Sequence, residues 1–443
     1  MVKSPLDYFT DAVLRAPTIG CILMCFAASL VGVIVVLRKQ SLIGEALSHA
    51  SYPGVILGVI FAAFIGIEDS AETAVALFII AGAFLSALLG LYLIYGLERK
   101  LKVKSDSALC FILSAFFGIG LTLASEVQFS HTSFYRQVQV YLYGQAATMT
   151  NIHIYIYGLL ALAVLTIILL FYKEIQAIIF DRNYAKSLGI NTKPIDALIF
   201  ILIVLAVVIG IRSVGVVLMS AMLIAPAVAA RQYTNQLSLL FVLSALFGMT
   251  SGYLGNYFSV EGTYQLSILY PRARLALPTG PMIVIVASTI CILSLLFAPE
   301  RGFVWRSLRI YYFRHRSLSE NLLKTLWHAD HSLNFAEITR FQSANKLYLN
   351  LIVLDLIRNG WVKKKSDKTL SLTPEGQAWA AKIVRLHRLW EVYLVDYLGV
   401  GAEKVHRSAE EMEHLITPEL EEELILLLKN PTQDPHHQPI PPP

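Results

Sequence analysis

Nine stretches of this chain are apolar for about the thickness of a lipid bilayer. They cover residues 18–37, 53–69, 75–97, 107–125, 153–172, 196–212, 214–230, 236–258 and 279–298. A helix needs about 20 such residues to cross the hydrocarbon core. In lipid every backbone N–H and C=O must be satisfied within the segment, so runs of this length are expected to be helices. Allowing for re-entrant or broken segments, eight or nine spans are expected. The first run begins near Thr18 and no A-x-A-like site follows it, so it is read as an anchor rather than a removed signal peptide.

The pattern stops abruptly. The whole chain is only 15% charged, against about 25% for soluble proteins. Yet beyond Glu300 charges are dense, and eight of the eleven histidines lie between His315 and His437. The expected organisation is a membrane domain over 1–300, a basic juxtamembrane linker over 301–317, and a soluble part over 318–443. Cys21, Cys25, Cys110 and Cys291 all sit in apolar runs, which leaves the soluble part neither a disulfide framework nor a thiolate metal site. Lys and Arg mark cytoplasmic loops. They gather in "ERKLKVK" (98–104), over 173–193 and after Glu300, whereas "IEDSAE" (67–72) is acidic. The soluble part is therefore expected in the cytoplasm, with the side of the N-terminus open.

Within "RKQSLIGEALSHASYPG" (38–54), Glu45 and His49 are four residues apart and share a helix face. An ionisable pair beside apolar spans is costly and by default marks an ion or proton path. A carboxylate with an imidazole suits a divalent first-row metal. A structural pair satisfied at the membrane surface would have the same spacing. Pro53 and Gly54 are expected to break the helix, as where irregular backbone lines a cavity.

"SLIGEALSHASYPG" resembles the signature of the ABC-3 family of permeases, which serve bacterial importers of zinc, manganese or iron. The resemblance continues through "FDRNYAKSLGI" (180–190), "GVVLMSAMLIAPAVAAR" (215–231) and "LPTGPMIVIVAS" (277–288). It implies an all-α polytopic, BtuC-like permease with Glu45 and His49 on the metal path, Glu45 standing where the family usually has Asp. It also implies an ATPase-coupling segment at 180–190, carrying Asp181, Ala185 and Gly189. "EGTYQLSILYPRARLA" (261–276) looks like an insertion. The chain has no G-x-x-x-x-G-K-[ST] phosphate loop, so it is not expected to hydrolyse ATP itself. The implied partners are a separate ABC ATPase subunit, a periplasmic metal-binding protein, and a second permease subunit, identical or related.

Residues 301–317 ("RGFVWRSLRIYYFRHRS") are basic and aromatic, a composition suited to a membrane surface. Helices are expected near 318–329, 334–341 and 345–360, then two short strands within 361–376. That order is a winged helix-turn-helix over 318–376. Lys363, Lys364, Lys365 and Lys368 would place positive charge on its wing for phosphates; a solvated hairpin would read the same. Over 377–443, His387 and Glu391 are i and i+4, and His406, Glu410, Glu413 and His414 follow at i, i+4, i+7 and i+8. Each set shares one helix face. All donors are nitrogen and oxygen, which favours Mn²⁺ or Fe²⁺, with Zn²⁺ as a further option.

"LTPEGQAWAAKIVRLHRLWEVYL" (372–394), "VHRSAEEMEHLITPELEEEL" (405–424) and "NPTQDPHHQPIP" (430–441) resemble the diphtheria-toxin-repressor family of metal-dependent regulators. The resemblance implies one ion at His387, Glu391 and His406, and a second at Glu410, Glu413 and His414. Glu410 matches the manganese-type branch. It also implies a homodimer, a transcriptional repressor and operator DNA as partner. The sequence runs out soon after Pro441, so the SH3-like third domain of some members is not expected. Two departures stand out. On the first helix, Asn321 occupies a ligand position, and Lys324 one turn on has no lone pair to offer. The helix meant to read bases is unusually apolar, leaving Ser343, Asn345, Lys346, Tyr348 and Asn350 as polar candidates. The combined expectation is a metal permease carrying its own metal-responsive repressor, with release by cleavage in 301–318. The alternative is a permease whose soluble domain is an ion-operated valve that binds no DNA.

Overall fold

The computed structural model describes residues 4–65, 72–130, 132–272, 275–329, 332–341, 344–365, 367 and 369–442. They form two compact units, Met1–Trp305 and Arg306–Pro443. The first is helical throughout: α1 (Asp7–Thr10), α2 (Arg15–Leu37), α3 (Ser41–Phe64), α4 (Glu72–Arg99), α5 (Ser105–Ser130), α6 (Thr132–Tyr143), α7 (Asn151–Leu170), α8 (Tyr172–Phe180), α9 (Arg182–Ser187), α10 (Thr192–Val214), α11 (Met219–Arg231), α12 (Leu237–Leu269) and α13 (Thr279–Phe297). Among the described residues, α2, α3, α4, α5, α7, α10, α12 and α13 are long and apolar enough to cross a membrane. The run at 214–230 is instead the short α11. The chain leaves α10 through Gly215 at φ +95°, where an added Cβ would lie 2.7 Å from the Leu142 carbonyl oxygen.

The centre of this unit is α2, packed on α7, α11 and α12, and α3, packed on α4 and α5. Pro53 and Gly54 do not break α3; both lie inside it. Proline removes one rung of the hydrogen-bond ladder, but the helix stays clasped by its neighbours. Gly54 has a different use. An added Cβ would stand 2.1 Å from the Gly82 carbonyl oxygen, so Gly54 and Gly82 let two backbones touch, as small residues do between membrane helices. The stretch read as an insertion mostly prolongs α12 to Leu269, and its first residue, Glu261, accepts a hydrogen bond from Tyr8 at 3.0 Å. Buried Asp196, near the start of α10, accepts from Arg38 at 2.5 Å and from Arg182, the first residue of α9.

The second unit contains most of α14 (Phe303–Ala329), then α15 (Phe335–Phe341), α16 (Lys346–Arg358), β1 (Val362–Lys364), β2 (Leu370–Leu372), α17 (Pro374–Asp396), α18 (Val405–Met412) and α19 (Pro418–Leu427). The first helix begins well before residue 318, so the basic segment is helical too. Leu322, Leu323 and Leu326 of α14 pack with Ile338, Ile352, Leu356, Val362 and Leu370, each burial contributing about 1.5–3 kcal/mol. β1 and β2 pair antiparallel with Val362 opposite Leu372, which makes the wing. Thr373 caps α17 ahead of Pro374, its hydroxyl accepting from the Gly376 N–H at 3.1 Å.

Candidate metal sites and contact surfaces

Glu45 and His49 lie one turn apart on α3. His49 is buried, its ring edge-on to Phe117 with centroids 4.6 Å apart. Its Nδ1 has no hydrogen-bond partner among the described residues. An unpaired buried polar atom costs about 1–3 kcal/mol, and Glu45 beside it is half-buried. An imidazole nitrogen in want of a partner, one turn from a carboxylate, fits a passing divalent cation.

Asp181, Ala185 and Gly189 build α9 rather than present it. The Asp181 carboxylate accepts from the N–H groups of Asn183 and Tyr184 at 2.7 and 3.1 Å, the N-cap arrangement. Ala185 is buried, and Gly189 turns the chain at φ +77°. The large apolar residues exposed here are Phe180 at the end of α8, Tyr184 on α9 and Leu188 just past it, which the sequence analysis did not single out. Apolar residues on a charged loop are the signal that would have found them.

In the second unit α17 and α18 bring His387, Glu391 and His406 together, with one ligand atom of each within 4.8 Å of the others. Glu391 is buried; its Oε1 is 3.1 Å from His387 Nε2 and 2.5 Å from His406 Nδ1. The three open onto a cavity of about 520 Å³, also lined by Glu410 and His436. Burial works against the charged His387 ring, but the carboxylates of Glu391 and Glu413 outweigh it and raise its pKa above the usual 6.5. Burial likewise works against an ionised Glu391; the His387 hydrogen bond and the nearby imidazoles hold its pKa below the usual range. Two imidazoles and a carboxylate converging on one point fit a divalent cation, whose binding displaces protons from such donors.

His436 escaped the sequence analysis. Its ring stacks on His406, centroids 4.5 Å apart, and its Nε2 is buried without a hydrogen-bond partner. The segment carrying it is tied to α17 by Arg385, which donates to the Pro441 carbonyl at 2.8 Å, and by Arg388, which donates to the Pro439 carbonyl. Two histidines after the Asp434–Pro435 turn were the available sign.

The second implied set does not converge. His406 and Glu410 face the cavity, but α18 ends at Met412, and Glu413 and His414 are buried elsewhere. Both Glu413 carboxylate oxygens accept from the Lys324 ammonium, at 2.8 and 2.9 Å. One of them also lies 2.5 Å from His387 Nδ1. His414 Nδ1 is 2.6 Å from Glu320 Oε2. Asn321 is half-buried on α14, its carbonyl accepting from the Thr325 hydroxyl. The Glu413 carboxylate thus carries an ammonium already, while His414 Nε2, 3.7 Å from Glu413 Oε1, has no hydrogen-bond partner among the described residues.

On the nucleic-acid side, Ser343 and Lys368 lie outside the described residues. Asn345 caps α16, its side chain accepting from the Leu347 N–H at 3.1 Å. Tyr348 is half-buried near Tyr311 and His315. Lys346, Asn350 and the wing residues Lys363, Lys364 and Lys365 are exposed. So are Leu347, Leu351 and Leu354, at 77, 59 and 56%. Their i, i+4, i+7 spacing makes an apolar stripe along the helix that would enter a DNA groove.

Comparison with known proteins gives the following. A model of the ABC 3 transport family matches residues 10–298. A model described as the iron dependent repressor, metal binding and dimerisation domain matches 373–442. A probable metal transport system membrane protein of Chlamydia trachomatis is 37% identical over 98% of this chain and 97% of its own length. The manganese transport system membrane protein MntC of Bacillus subtilis is 30% identical over 86% of this chain and 84% of its own. The solved structure of PsaBC from Streptococcus pneumoniae in complex with Fab covers 70% of this chain and 100% of the PsaBC chain, at 27% identity and a TM-score of 0.57.

Proposed function

Because this chain belongs to the ABC 3 transport family, with a repressor-type metal-binding and dimerisation domain at its C-terminal end, we propose that it is the permease subunit of a divalent-metal importer with a built-in metal sensor. The cargo ion passes Glu45 and His49. A separate ATPase docks on α9 against Phe180, Tyr184 and Leu188, a binding protein delivers the ion from outside, and two permease subunits make the pore. The positive loops support a cytoplasmic sensor, which in a bacterium makes the membrane the inner one. Manganese and iron are the leading cargo and ligand: a relative is named for manganese and the sensor-domain family for iron. The donors, all nitrogen and oxygen, suit either.

The observation that carries the reading is the convergence of His387, Glu391 and His406 on one point. These three, with His436 beside them, would hold the sensed ion, and Glu391 supplies the negative charge. The ion's role there is to tie α17, α18 and the C-terminal segment together, which stiffens the face used for dimerisation. Two outputs follow from that. The wing lysines, Lys346 and Asn350 support operator binding, with electrostatic contacts to phosphates. The leucine stripe on α16 favours the second output, a valve in which the ion-loaded domain acts on transport by protein contact.

Titrating residues 306–443 with DNA from upstream of the chain's own gene separates the two. Mn²⁺ or Fe²⁺ would be present or absent, anaerobically, at a fixed salt concentration. Ion-dependent specific binding that is lost in His387→Ala establishes the repressor. Tight ion binding with no specific DNA complex establishes the valve, and no ion binding at all overturns the sensor.

A further inference from the structure

Resting on the sensor reading above, we propose that Lys324 is a tethered cation standing in for a second metal ion, so that each chain's sensor takes up one divalent ion and not two. Glu413 is completely buried and Lys324 is 15% exposed. The ammonium spans both carboxylate oxygens, and His387 Nδ1 takes a share of one of them. A divalent ion at that carboxylate would sit beside an ammonium with little water to screen the repulsion. Of the other donors, only His414 is near, its partnerless Nε2 standing 3.7 Å from Glu413 Oε1, and one imidazole nitrogen does not offset that repulsion. His414 Nδ1 is held by Glu320, which Arg316 holds in turn through Nε at 2.8 Å, and Glu410 faces the other cavity. Against this, the first set has three donors on one point and an open approach, since the His406 side chain is 58% exposed.

The ammonium also does mechanically what an ion there would do. Glu413 is the C-cap of α18, so the Lys324–Glu413 pair ties α14 to α18, and through His387 to α17. This link is made by the chain's own side chains and calls for no ion. Loading of the sensor therefore changes the junction of α17, α18 and the C-terminal segment, while α14 is anchored throughout by its own lysine.

The test counts ions in the full chain, purified in detergent, with Mn²⁺ alone as the probe. Equilibrium dialysis followed by elemental analysis gives equivalents per chain in a Glu45→Ala/His49→Ala background, so that the transport path does not contribute. One equivalent is expected, lost with His387→Ala/Glu391→Ala and kept with His414→Ala. Lys324→Glu is expected to raise the count to two, with dipolar broadening of the Mn²⁺ electron-spin resonance as the ions become neighbours. Lys324→Met, which removes the charge and keeps most of the length, guards against a misfolded glutamate variant and is expected to admit a weaker second ion. Two equivalents with Lys324 intact, one of them lost with His414→Ala, would overturn the inference and leave the sensor reading standing. A count that stays at one in both folded Lys324 variants would overturn it as well, because the ammonium would then not be what excludes the ion. Zero equivalents would overturn the sensor reading and this inference with it.

Discussion

A glutamate and a histidine four residues apart mark both the membrane unit and the soluble unit, and the two pairs are finished differently. Glu45 and His49 stand on one helix, and His49 Nδ1 is left without a partner among the described residues. His387 and Glu391 are joined by His406 from a second helix and by His436 from a segment strapped down by two arginines. Conduction needs a site strong enough to admit an ion and weak enough to release it. Sensing needs residence. On the proposed reading the same two residue types serve both, because the number of further chain segments that close on the ion differs.

The sharpest way to break this comparison is His49→Ala. Uptake of Mn²⁺ by vesicles with the ATPase partner is expected to fall about 100-fold or more, since loss of even a supporting ligand costs 10–100-fold. Ion binding by residues 306–443 does not depend on His49, so a variant that transports normally would remove it from the path. Next in size, Glu391→Gln is expected to weaken Mn²⁺ binding by the second unit about 10–100-fold, read by titration calorimetry. Uptake at low metal should be unchanged; if it falls in parallel, the two sites are not independent.

Acidity gives a smaller and graded effect. The His387 pKa is raised above 6.5, so the ring is charged below that raised value and neutral above it. The ion takes the neutral form, and binding must expel the proton. Affinity at this site is therefore expected to rise with pH through the histidine range, by up to about tenfold per unit, and to level off above it. Calorimetry in two buffers of different ionisation enthalpy would count the released proton. An affinity flat between pH 6 and 8 would mean that the ion does not displace it. Smallest is Asn345→Ala, which removes the cap of α16 and should lower the stability of residues 306–443 by about 1 kcal/mol in denaturant titration.

The same contrast explains what could be read in the sequence. Apolar runs of bilayer length and i, i+4 pairs are local, so the spans, the wing and both Glu–His pairs were legible. Pro53 was misjudged because the sequence shows a missing N–H but not the neighbours that keep α3 whole. His436 and Lys324 owe their places to partners far along the chain, Arg388 and Glu413, which no periodicity reports. Glu413 and His414 were placed on one face with His406 by counting on past the point where α18 ends.

One consequence of α14 concerns time rather than place. If the regulator is freed by cutting between residues 301 and 318, the scissile segment is almost wholly helix from Phe303 onward, and a protease needs it extended. Severing then waits for a local opening, and its rate follows the fraction of molecules open at any moment. A glycine inside a helix costs about 1 kcal/mol, roughly fivefold in that fraction. Ile310→Gly would then shorten the life of the intact chain about fivefold without touching a recognition residue elsewhere. The helix would set the half-life of the fusion.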